Sequence, residues 1–203
     1  MIAVVNYGAG NLRSVAKALE SIGAPIVVTS DPSVVDRADA VILPGVGAAA
    51  DTMSGLREAG MVEPLRSAVR QGKPFFGVCI GLQVLLTESD EDGGAACLDI
   101  VPGRVRRIPD GVKVPHMGWN QVHSRRDHPL FAGIPNDSFF YFVHSYYAEP
   151  ADPEVVLGET EHLVRFCSVI ARDNLVATQF HPEKSGPIGV RIYQNFCREA
   201  GQL

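Results

Sequence analysis

The stretch Pro74-Phe75-Phe76-Gly77-Val78-Cys79-Ile80-Gly81 decides the fold of this chain. The apolar run from Pro74 to Val78 predicts a buried strand, and the segment from Leu82 to Leu86 predicts the first turns of a helix. A nucleophilic side chain between two glycines at a strand-to-helix junction is the pattern of a nucleophile elbow. We therefore expect Cys79 in a strained turn above the edge of a sheet, where the positive end of the helix favours a thiolate.

A base for this thiol is predicted near the end of the chain. The sequence Thr178-Gln179-Phe180-His181-Pro182-Glu183 closes an apolar stretch that begins at Asn174. On an extended segment His181 and Glu183 point the same way, because strand side chains repeat with a period of two. Glu183 would then bind one imidazole nitrogen while the other faces a thiol, which is the arrangement of a nucleophile, a base and an orienting carboxylate.

Each of these signals alone also has a structural interpretation. A cysteine after an apolar strand is commonly a small buried hydrophobe, and a His-Pro pair is commonly a turn. Together, each after a predicted strand, they favour catalysis by Cys79, His181 and Glu183. The remaining cysteines show neither Cys-x-x-Cys spacing nor paired histidines, so we interpret them as structural and predict no metal site; they are Cys97, Cys167 and Cys197.

The composition bounds the class of protein. The 203 residues, of which 46% are hydrophobic and 20% charged, suffice for a domain with a substantial core. The net charge of −5, with no basic cluster beyond Arg104-Val105-Arg106-Arg107, argues against a nucleic-acid partner. No apolar run is long enough to span a membrane, and Met1 leads directly into a strand-like segment. We therefore expect a cytoplasmic protein without a signal peptide, and four scattered cysteines suit that reducing compartment.

The order of predicted elements indicates an α/β fold. The first half alternates strands with helices, which implies a parallel sheet covered on both faces; strands are expected at 2–6, 25–29, 40–43 and 74–78, and helices at 11–22 and at 51–71, the latter interrupted near Gly60 and Pro64. The second half is richer in strands, expected at 103–108, 120–123, 138–147, 154–159 and 164–179, with a hairpin turn at 172–174 and a closing helix at 186–200. No repeat or linker interrupts the chain, so we predict one domain over residues 1–203.

Two glycine-rich turns follow predicted strands, Gly8-Ala9-Gly10 and Gly45-Val46-Gly47. A dinucleotide fingerprint is one interpretation, but Arg13 occupies the third glycine position of the first turn. The second turn matches the looser form, yet residues 65–70 offer no acidic residue for a ribose. An oxyanion hole is the better interpretation: the N–H of Ile80 would be one donor, and backbone at Val46 and Gly47 the other.

These residues together resemble the class I glutamine amidotransferases. Gly77-x-Cys79-x-Gly81-x-Gln83 and His181-Pro182-Glu183 match the triad motifs of that family in order and spacing. Further segments are similar to one branch, the glutaminase subunits of imidazole glycerol phosphate synthase in histidine biosynthesis: Asn6 to Leu12, Pro44 to Gly47, Pro115 to Asn120, Phe142 to Tyr146 and Phe180 to Ser185. The resemblance runs from Ile2 to about Phe196.

The resemblance implies a three-layer fold, with a mostly parallel central sheet, helices on both faces and added antiparallel strands in the second half. It implies hydrolysis of glutamine without a cofactor. Cys79 would attack the amide carbon, His181 would protonate the departing ammonia and then activate water, and Glu183 would orient the imidazole. The residues that would hold glutamine are Gly47, Gln83, Glu91, Ser145 and Tyr146, although Glu91 also fits a solvated acidic run.

The family also implies a partner, a (β/α)₈ cyclase subunit that receives the ammonia within a heterodimer. Four residues match positions at that contact: Asn11, Trp119, Tyr141 and Lys184. A predicted loop position beside a glycine favours an exposed Trp119, whereas Asn11 and Lys184 fit an ordinary surface equally well.

Gating by that partner is a further implication. The isolated glutaminase should be nearly silent until the partner and its ligand reorient the Val46 peptide, with Gly45 and Gly47 as the hinges. Three other interpretations remain open at this point: another class I glutaminase of the aminodeoxychorismate or anthranilate type, a non-catalytic regulatory module on the same fold, and a papain-like protease.

Overall fold

A computed structural model describes residues 1–8 and 11–203 of the chain. The central part of its sheet is parallel, in the order β2-β1-β3-β4-β13. These strands are β1 (Ile2–Val5), β2 (Ile26–Thr29), β3 (Ala40–Leu43), β4 (Phe75–Val78) and β13 (Leu175–Thr178). Their alternate side chains enter two separate cores, with Ile2 and Val4 in one and Ala3 and Val5 in the other. Both faces of β1, β3, β4 and β13 are therefore buried, which is why these strands are continuous apolar runs, whereas the edge strand β2 exposes Val27 and Val28.

Helices cover these two faces, and the bounds differ in part from the predicted ones. They are α1 (Leu12–Ser21), α2 (Pro32–Arg37), α3 (Ala49–Glu58), α4 (Val62–Arg70), α5 (Ile80–Gln83) and α6 (Gly186–Glu199). The predicted break near Gly60 is confirmed, but Pro64 does not interrupt the helix, because it lies in the first turn of α4, where its missing N–H has no intrahelical role. The short helix α2 escaped prediction, although Asp31 caps it by accepting a hydrogen bond from the Ser33 N–H over 2.9 Å.

The second half of the chain extends the sheet with antiparallel strands. β12 (Val164–Arg172) joins β13 to β10 (Tyr146–Pro150) and then to β7 (Gly103–Arg107), with the short strands β5 (Glu88–Ser89) and β6 (Ala95–Ala96) beyond. A branch runs from β12 through β11 (Val156–His162) to the hairpin of β8 (His116–Ser124) and β9 (Ser138–His144). The predicted α/β class with added antiparallel strands is confirmed.

Three details of the second half correct the prediction. The segment expected as one strand over 138–147 is two strands that change direction at Ser145. β8 begins at His116 rather than Asn120, so Trp119 lies in a strand and not in a loop. The segment expected as a strand from residue 154 begins with a 3₁₀ turn at Pro153–Val155, and β11 follows it. The predicted hairpin turn is present, with Asp173 at a φ of 51°.

Two kinds of feature are absent from the described residues. Over residues 1–8 and 11–203, no helix is long and apolar enough to cross a membrane. In the same described ranges, no three side chains of histidine, cysteine, aspartate or glutamate cluster as a metal site would require.

Candidate active site

Cys79 occupies the turn between β4 and α5. Its φ of 56° and ψ of −108° are the strained conformation expected for a nucleophile elbow, and its N–H donates to the Thr178 carbonyl over 2.7 Å. The flanking glycines are needed for space. A Cβ at Gly77 would lie 2.8 Å from the Gly81 carbonyl oxygen, and a Cβ at Gly81 would overlap the Leu43 carbonyl.

The helix after the elbow is shorter than predicted. α5 is a single turn that begins at Ile80, whereas Leu85 and Leu86 lie beyond it as fully buried core residues. As the first residue of this turn, Ile80 has an N–H with no intrahelical acceptor, as an oxyanion donor requires. The preference of Cys79 for a thiolate, expected from the field of a longer helix, stays a prediction.

His181 and Glu183 are directly paired. Nδ1 of His181 lies 2.8 Å from Oε1 of Glu183, and both side chains are at most 1% exposed. The predicted pairing is present, but the predicted reason is wrong. His181 is extended, whereas Pro182–Lys184 forms a 3₁₀ turn, so the turn and not a strand period brings the carboxylate back to the imidazole. Ser185 closes this turn by donating from its hydroxyl to the His181 carbonyl over 2.7 Å.

Glu183 has two further donors. The Tyr193 hydroxyl of α6 donates to Oε2 over 3.2 Å, and the Asn11 amide donates to Oε1. Sequence reasoning missed Tyr193, because a tyrosine on the apolar face of a helix looks like an ordinary core residue. Asn11 was predicted at a partner contact, and the structure places its amide on the carboxylate of the candidate triad.

The pKa values of this pair shift in opposite directions. Burial alone lowers the pKa of His181, but the proximity of Cys79 and the hydrogen bond and charge of Glu183 outweigh it and raise the value above the ordinary one. Burial alone raises the pKa of Glu183, but the hydrogen bond and charge of His181 outweigh it and lower the value. Nε2 of His181 is buried and has no hydrogen-bond partner among the described residues, while Cys79 is near enough to perturb it. Proton transfer between His181 and the thiol of Cys79 requires such an unbonded nitrogen.

Two glutamines pack behind the thiol. Nε2 of Gln179 lies 3.7 Å from Sγ of Cys79 as a donor, and Oε1 of the same residue accepts from Nε2 of Gln83 over 3.0 Å. Gln83 also donates to the Tyr146 carbonyl over 2.8 Å. The amide nitrogen of Gln83, a predicted ligand of glutamine, is therefore engaged by protein acceptors. The sequence analysis did not identify Gln179 as a site residue. The feature that could have indicated it is a polar side chain directly after an apolar strand.

A cavity of about 380 Å³ opens at the elbow. It is large enough for a ligand of amino-acid size, and its wall carries every predicted oxyanion and glutamine-binding residue. The lining residues are Val46, Gly47, Cys79, Ile80, Gln83, Glu91, Pro115, Val143, His144, Ser145, Tyr146 and Lys184.

Glycine is needed at positions 45 and 47 for different reasons. Gly47 has a φ of 108°, a backbone conformation that favours glycine, and a Cβ there would meet open space. At Gly45 a Cβ would overlap the Tyr7 hydroxyl and lie 2.5 Å from Cγ2 of Ile80, so this position needs space. Burial raises the pKa of Tyr7 to about 12, and its hydroxyl has no hydrogen-bond partner in the described ranges, since Thr52 lies beside it without hydrogen-bond geometry. The other predicted glycine turn includes Ala9 and Gly10, which lie outside the described residues.

Glu91 is part of the cavity wall and not a free surface carboxylate. Its Oε2 accepts from the Ala49 N–H over 2.8 Å, at the N-terminal end of α3. Burial raises the pKa of Glu91 above its ordinary value, partly offset by this hydrogen bond.

Three of the four predicted partner contacts form one cluster. Trp119 and Tyr141 are directly opposite each other on β8 and β9, and their rings meet edge to face at 6.1 Å. Nζ of Lys184 lies 5.9 Å from the centre of the Tyr141 ring. Trp119 is 55% exposed, and the same outer face of the hairpin exposes Met117 and Phe139. We call these five residues the hairpin face; they are Met117, Trp119, Phe139, Tyr141 and Lys184.

Comparison with known proteins agrees with this geometry. Imidazole glycerol phosphate synthase subunit HisH from Dehalococcoides mccartyi strain CBDB1 is 52% identical, over 98% of this chain and 98% of that one. The subunit of the same name from Methanothermobacter thermautotrophicus is 53% identical, over 97% of each chain. A crystal structure of a glutamine amidotransferase superposes with a TM-score of 0.78 at 21% identity, over 99% of this chain and 100% of that one. The glutaminase domain of Trypanosoma brucei CTPS superposes with a TM-score of 0.72 at 18% identity, over 98% of this chain and 93% of that one. At such low identities, these two structures show only that the fold is shared.

The sequence model of the glutamine amidotransferase class-I family matches residues 3–200, nearly the whole chain. That range contains the elbow, the His181–Glu183 pair and the residues that line the cavity at the elbow. The chain belongs to the class-I glutamine amidotransferase family.

Proposed function

We propose that this chain is the glutaminase subunit of an imidazole glycerol phosphate synthase, which hydrolyses glutamine to glutamate and ammonia through a thioester on Cys79. The observation that carries the proposal is the strained Cys79 at the mouth of one cavity with the buried His181–Glu183 pair beside it. The names of relatives about half identical over nearly the full chain support the choice of pathway, histidine biosynthesis.

The thioester forms in the first half of the reaction. His181 first takes the thiol proton of Cys79 onto Nε2, and the sulfur then attacks the side-chain carbonyl carbon of glutamine, so that the carbonyl oxygen takes the negative charge. The N–H of Ile80 and backbone at Val46 and Gly47 stabilise that oxygen. The tetrahedral intermediate then breaks its carbon–nitrogen bond, and His181 gives the departing nitrogen a proton, so that ammonia leaves and the thioester remains.

Water completes the cycle in the second half. His181 takes a proton from a water molecule that attacks the thioester, and glutamate leaves as the thiolate re-forms. Glu183 holds the imidazole in the tautomer with its proton on Nδ1, which leaves Nε2 free for both transfers. The wall residues that hold glutamine are Gly47, Gln83, Glu91, Ser145 and Tyr146; Gln83 acts through its free oxygen or through the Tyr146 carbonyl that it binds.

The partner is a (β/α)₈ cyclase subunit, which uses the ammonia to make imidazole glycerol phosphate and aminoimidazole carboxamide ribotide. The hairpin face supports this proposal, since tryptophan and tyrosine are enriched in interaction hot spots and the exposed Trp119 lies against Tyr141. Asn11, the fourth residue predicted at the partner contact, donates to the carboxylate of Glu183. We assign the protein to the cytoplasm, because all four cysteines are free, and we treat residues 1–203 as one domain.

The test is glutamate release from glutamine by the chain alone, and then with the cyclase subunit and its ribotide ligand. Strong activation by the cyclase, abolished by Cys79→Ala, is the expected result. Substantial release without any response to the cyclase would assign the chain to another class I amidotransferase. Failure of an electrophilic glutamine analogue to label Cys79 would overturn the glutaminase assignment altogether.

A further inference from the structure

Two histidines form a buried pair across the hairpin of β8 and β9. His116 and His144 are directly opposite in the strand register, and Nδ1 of His116 lies 2.8 Å from Nε2 of His144. They are only 5% and 6% exposed. His116 also stacks between the rings of Phe142 and His162, at 4.9 Å and 4.0 Å. Neither histidine has a part in the proposed chemistry, although His144 reaches the cavity wall.

The surrounding acceptors fix the protons of this pair. Nδ1 of His144 lies 2.8 Å from the Tyr146 carbonyl, which can only accept, so this nitrogen carries a proton. Nε2 of neutral His144 therefore accepts, and Nδ1 of His116 donates to it. Nε2 of His116 then accepts from Nδ2 of Asn120 over 3.2 Å, while the same amide donates to the Glu161 carbonyl over 2.9 Å. Every nitrogen of the pair has a partner in this arrangement.

The pair is neutral at physiological pH. Burial lowers the pKa of His116 to about 4 and that of His144 to about 3. The charged groups that face the pair act in the same direction: His162 on β11 lowers both values, and His181 lowers that of His144. The hydrogen bond to the Tyr146 carbonyl opposes the shift without reversing it.

The hydrogen bonds continue from the pair to the thiol. The Tyr146 carbonyl accepts from His144 on one side and from Gln83 on the other, over 2.8 Å in each case. Gln83 donates in turn to Gln179, whose amide nitrogen lies against the sulfur of Cys79. The chain of contacts thus begins at Asn120, beside Trp119 of the hairpin face, and ends at the proposed nucleophile.

We propose that His116 and His144 are positioning residues, which hold the Tyr146 carbonyl in the cavity wall and thereby set Gln83 and Gln179 behind the sulfur of Cys79. The inference rests on the proposed glutaminase function, since the wall it positions is the glutamine-binding wall.

Variants of His144 separate this role from simple packing. In His144→Asn, the amide nitrogen occupies the place of Nδ1 and still donates to the Tyr146 carbonyl, whereas His144→Phe fills the space without a donor. We expect His144→Phe to lower kcat/KM for glutamine about tenfold with the partner bound, mainly through KM, and His144→Asn to stay within about threefold of the parent. His123→Phe is the matched control, since this histidine is exposed near the end of β8, the strand that pairs with β9 of His144.

A second readout does not depend on turnover. The rate at which iodoacetamide alkylates Cys79 in the isolated chain should change in His144→Phe and stay near the parent value in His144→Asn and His123→Phe. If His144→Phe does not fold, His116→Phe takes its place, because it keeps the stacking and removes the Nδ1 donor of the pair. Failure of the parent protein to release glutamate with the cyclase would overturn the proposed function, while the alkylation rates would still test the positioning role.

Two results would overturn the inference. One is a folded His144→Phe, or His116→Phe in its place, whose kcat, KM and alkylation rate match those of His123→Phe. The other is a His144→Asn variant whose kcat/KM for glutamine falls as far as that of His144→Phe. The hydrogen bond donated to the Tyr146 carbonyl would then not be the cause of the loss.

Discussion

The Tyr193 hydroxyl donates to Oε2 of Glu183 over 3.2 Å, while Oε1 of the same carboxylate lies 2.8 Å from Nδ1 of His181. Tyr193 is fully buried, and burial together with the charge of Glu183 raises its pKa well above the ordinary value. The phenol therefore remains a donor throughout the physiological range. The last helix of the chain thus fixes the carboxylate that orients the proposed base.

The first prediction is that Tyr193→Phe lowers partner-stimulated kcat several-fold and leaves KM for glutamine nearly unchanged. The lost hydrogen bond to the charged carboxylate loosens Glu183 without touching the cavity, and it lowers the free energy of unfolding by about 1.5–3 kcal/mol. Steady-state kinetics and urea denaturation measure the two effects. Tyr147→Phe is the control, a half-buried tyrosine whose ring packs on Phe166 away from the carboxylate. Equal kinetic losses in both variants would contradict the assigned role.

The second prediction is that Glu183→Gln lowers kcat by roughly 10²- to 10⁴-fold, as expected when a proton-transfer group loses its correct state. A neutral amide cannot stabilise the imidazolium, and its N–H₂ group would face the donors of Tyr193 or Asn11. The pH dependence of kcat should also move, because the charge that helps to raise the pKa of His181 is removed. A variant with unchanged kcat and an unchanged pH profile would show that Glu183 has no part in orienting His181.

The elbow could be predicted from sequence because its cause is local. Gly77, Cys79 and Gly81 are close in the chain, and the glycines are required by the backbone that passes beside them. The His181–Glu183 pair was predicted from an extended segment, whereas a 3₁₀ turn creates it. The prediction succeeded because two residues so near in sequence meet in several local conformations.

The remaining contacts of the site could not be predicted, because they join distant parts of the chain. Gln179 reaches Cys79 across 100 positions, and Gln83 reaches the Tyr146 carbonyl across 63. Nothing in the local sequence of His116 indicates that His144 lies opposite, since register depends on the whole β8–β9 hairpin. Trp119 was correctly expected at the surface, but its exposure comes from the outer face of a strand.

The third prediction concerns Gly45 and Tyr7. Gly45→Ala should lower partner-stimulated activity and stability, because the new methyl group overlaps the Tyr7 hydroxyl and presses on Ile80 at the oxyanion position. Tyr7→Phe alone should leave the free energy of unfolding unchanged or raise it by about 1 kcal/mol, since the buried hydroxyl has no partner among the described residues. The double variant should recover part of the loss caused by Gly45→Ala. Strict additivity of the two substitutions would show that the overlap is not the cause.

The fourth prediction is a loss of stability in mild acid. The folded pKa values of about 4 for His116 and about 3 for His144 lie below the ordinary value of 6.5, so between these limits the unfolded chain binds protons that the folded chain does not. The contribution of these two histidines to the free energy of unfolding is therefore complete above pH 6.5 and falls as the pH drops toward 4, by up to about 1.4 kcal/mol per pH unit for each histidine. Urea denaturation at several pH values measures the slope.

A variant isolates the contribution of this pair to the acid slope. His116→Phe should reduce the slope above pH 4.5, where Glu183 and the other carboxylates do not yet contribute strongly. His128, whose pKa burial also lowers, is unaffected by the change and accounts for part of the residual slope. The same slope in the parent and in His116→Phe would mean that His116 is not held neutral by the fold.

The fifth prediction tests the hairpin face. Trp119→Ala should weaken binding of the cyclase by about 2 kcal/mol or more, roughly 30-fold, and leave the free energy of unfolding nearly unchanged, because the side chain is 55% exposed. Val28→Ala is the matched control, since this exposed valine lies on β2 at the opposite edge of the sheet. Calorimetric titration gives the affinities. Equal effects of the two substitutions would place the partner elsewhere, whereas a loss confined to Trp119 would make the hairpin the docking element.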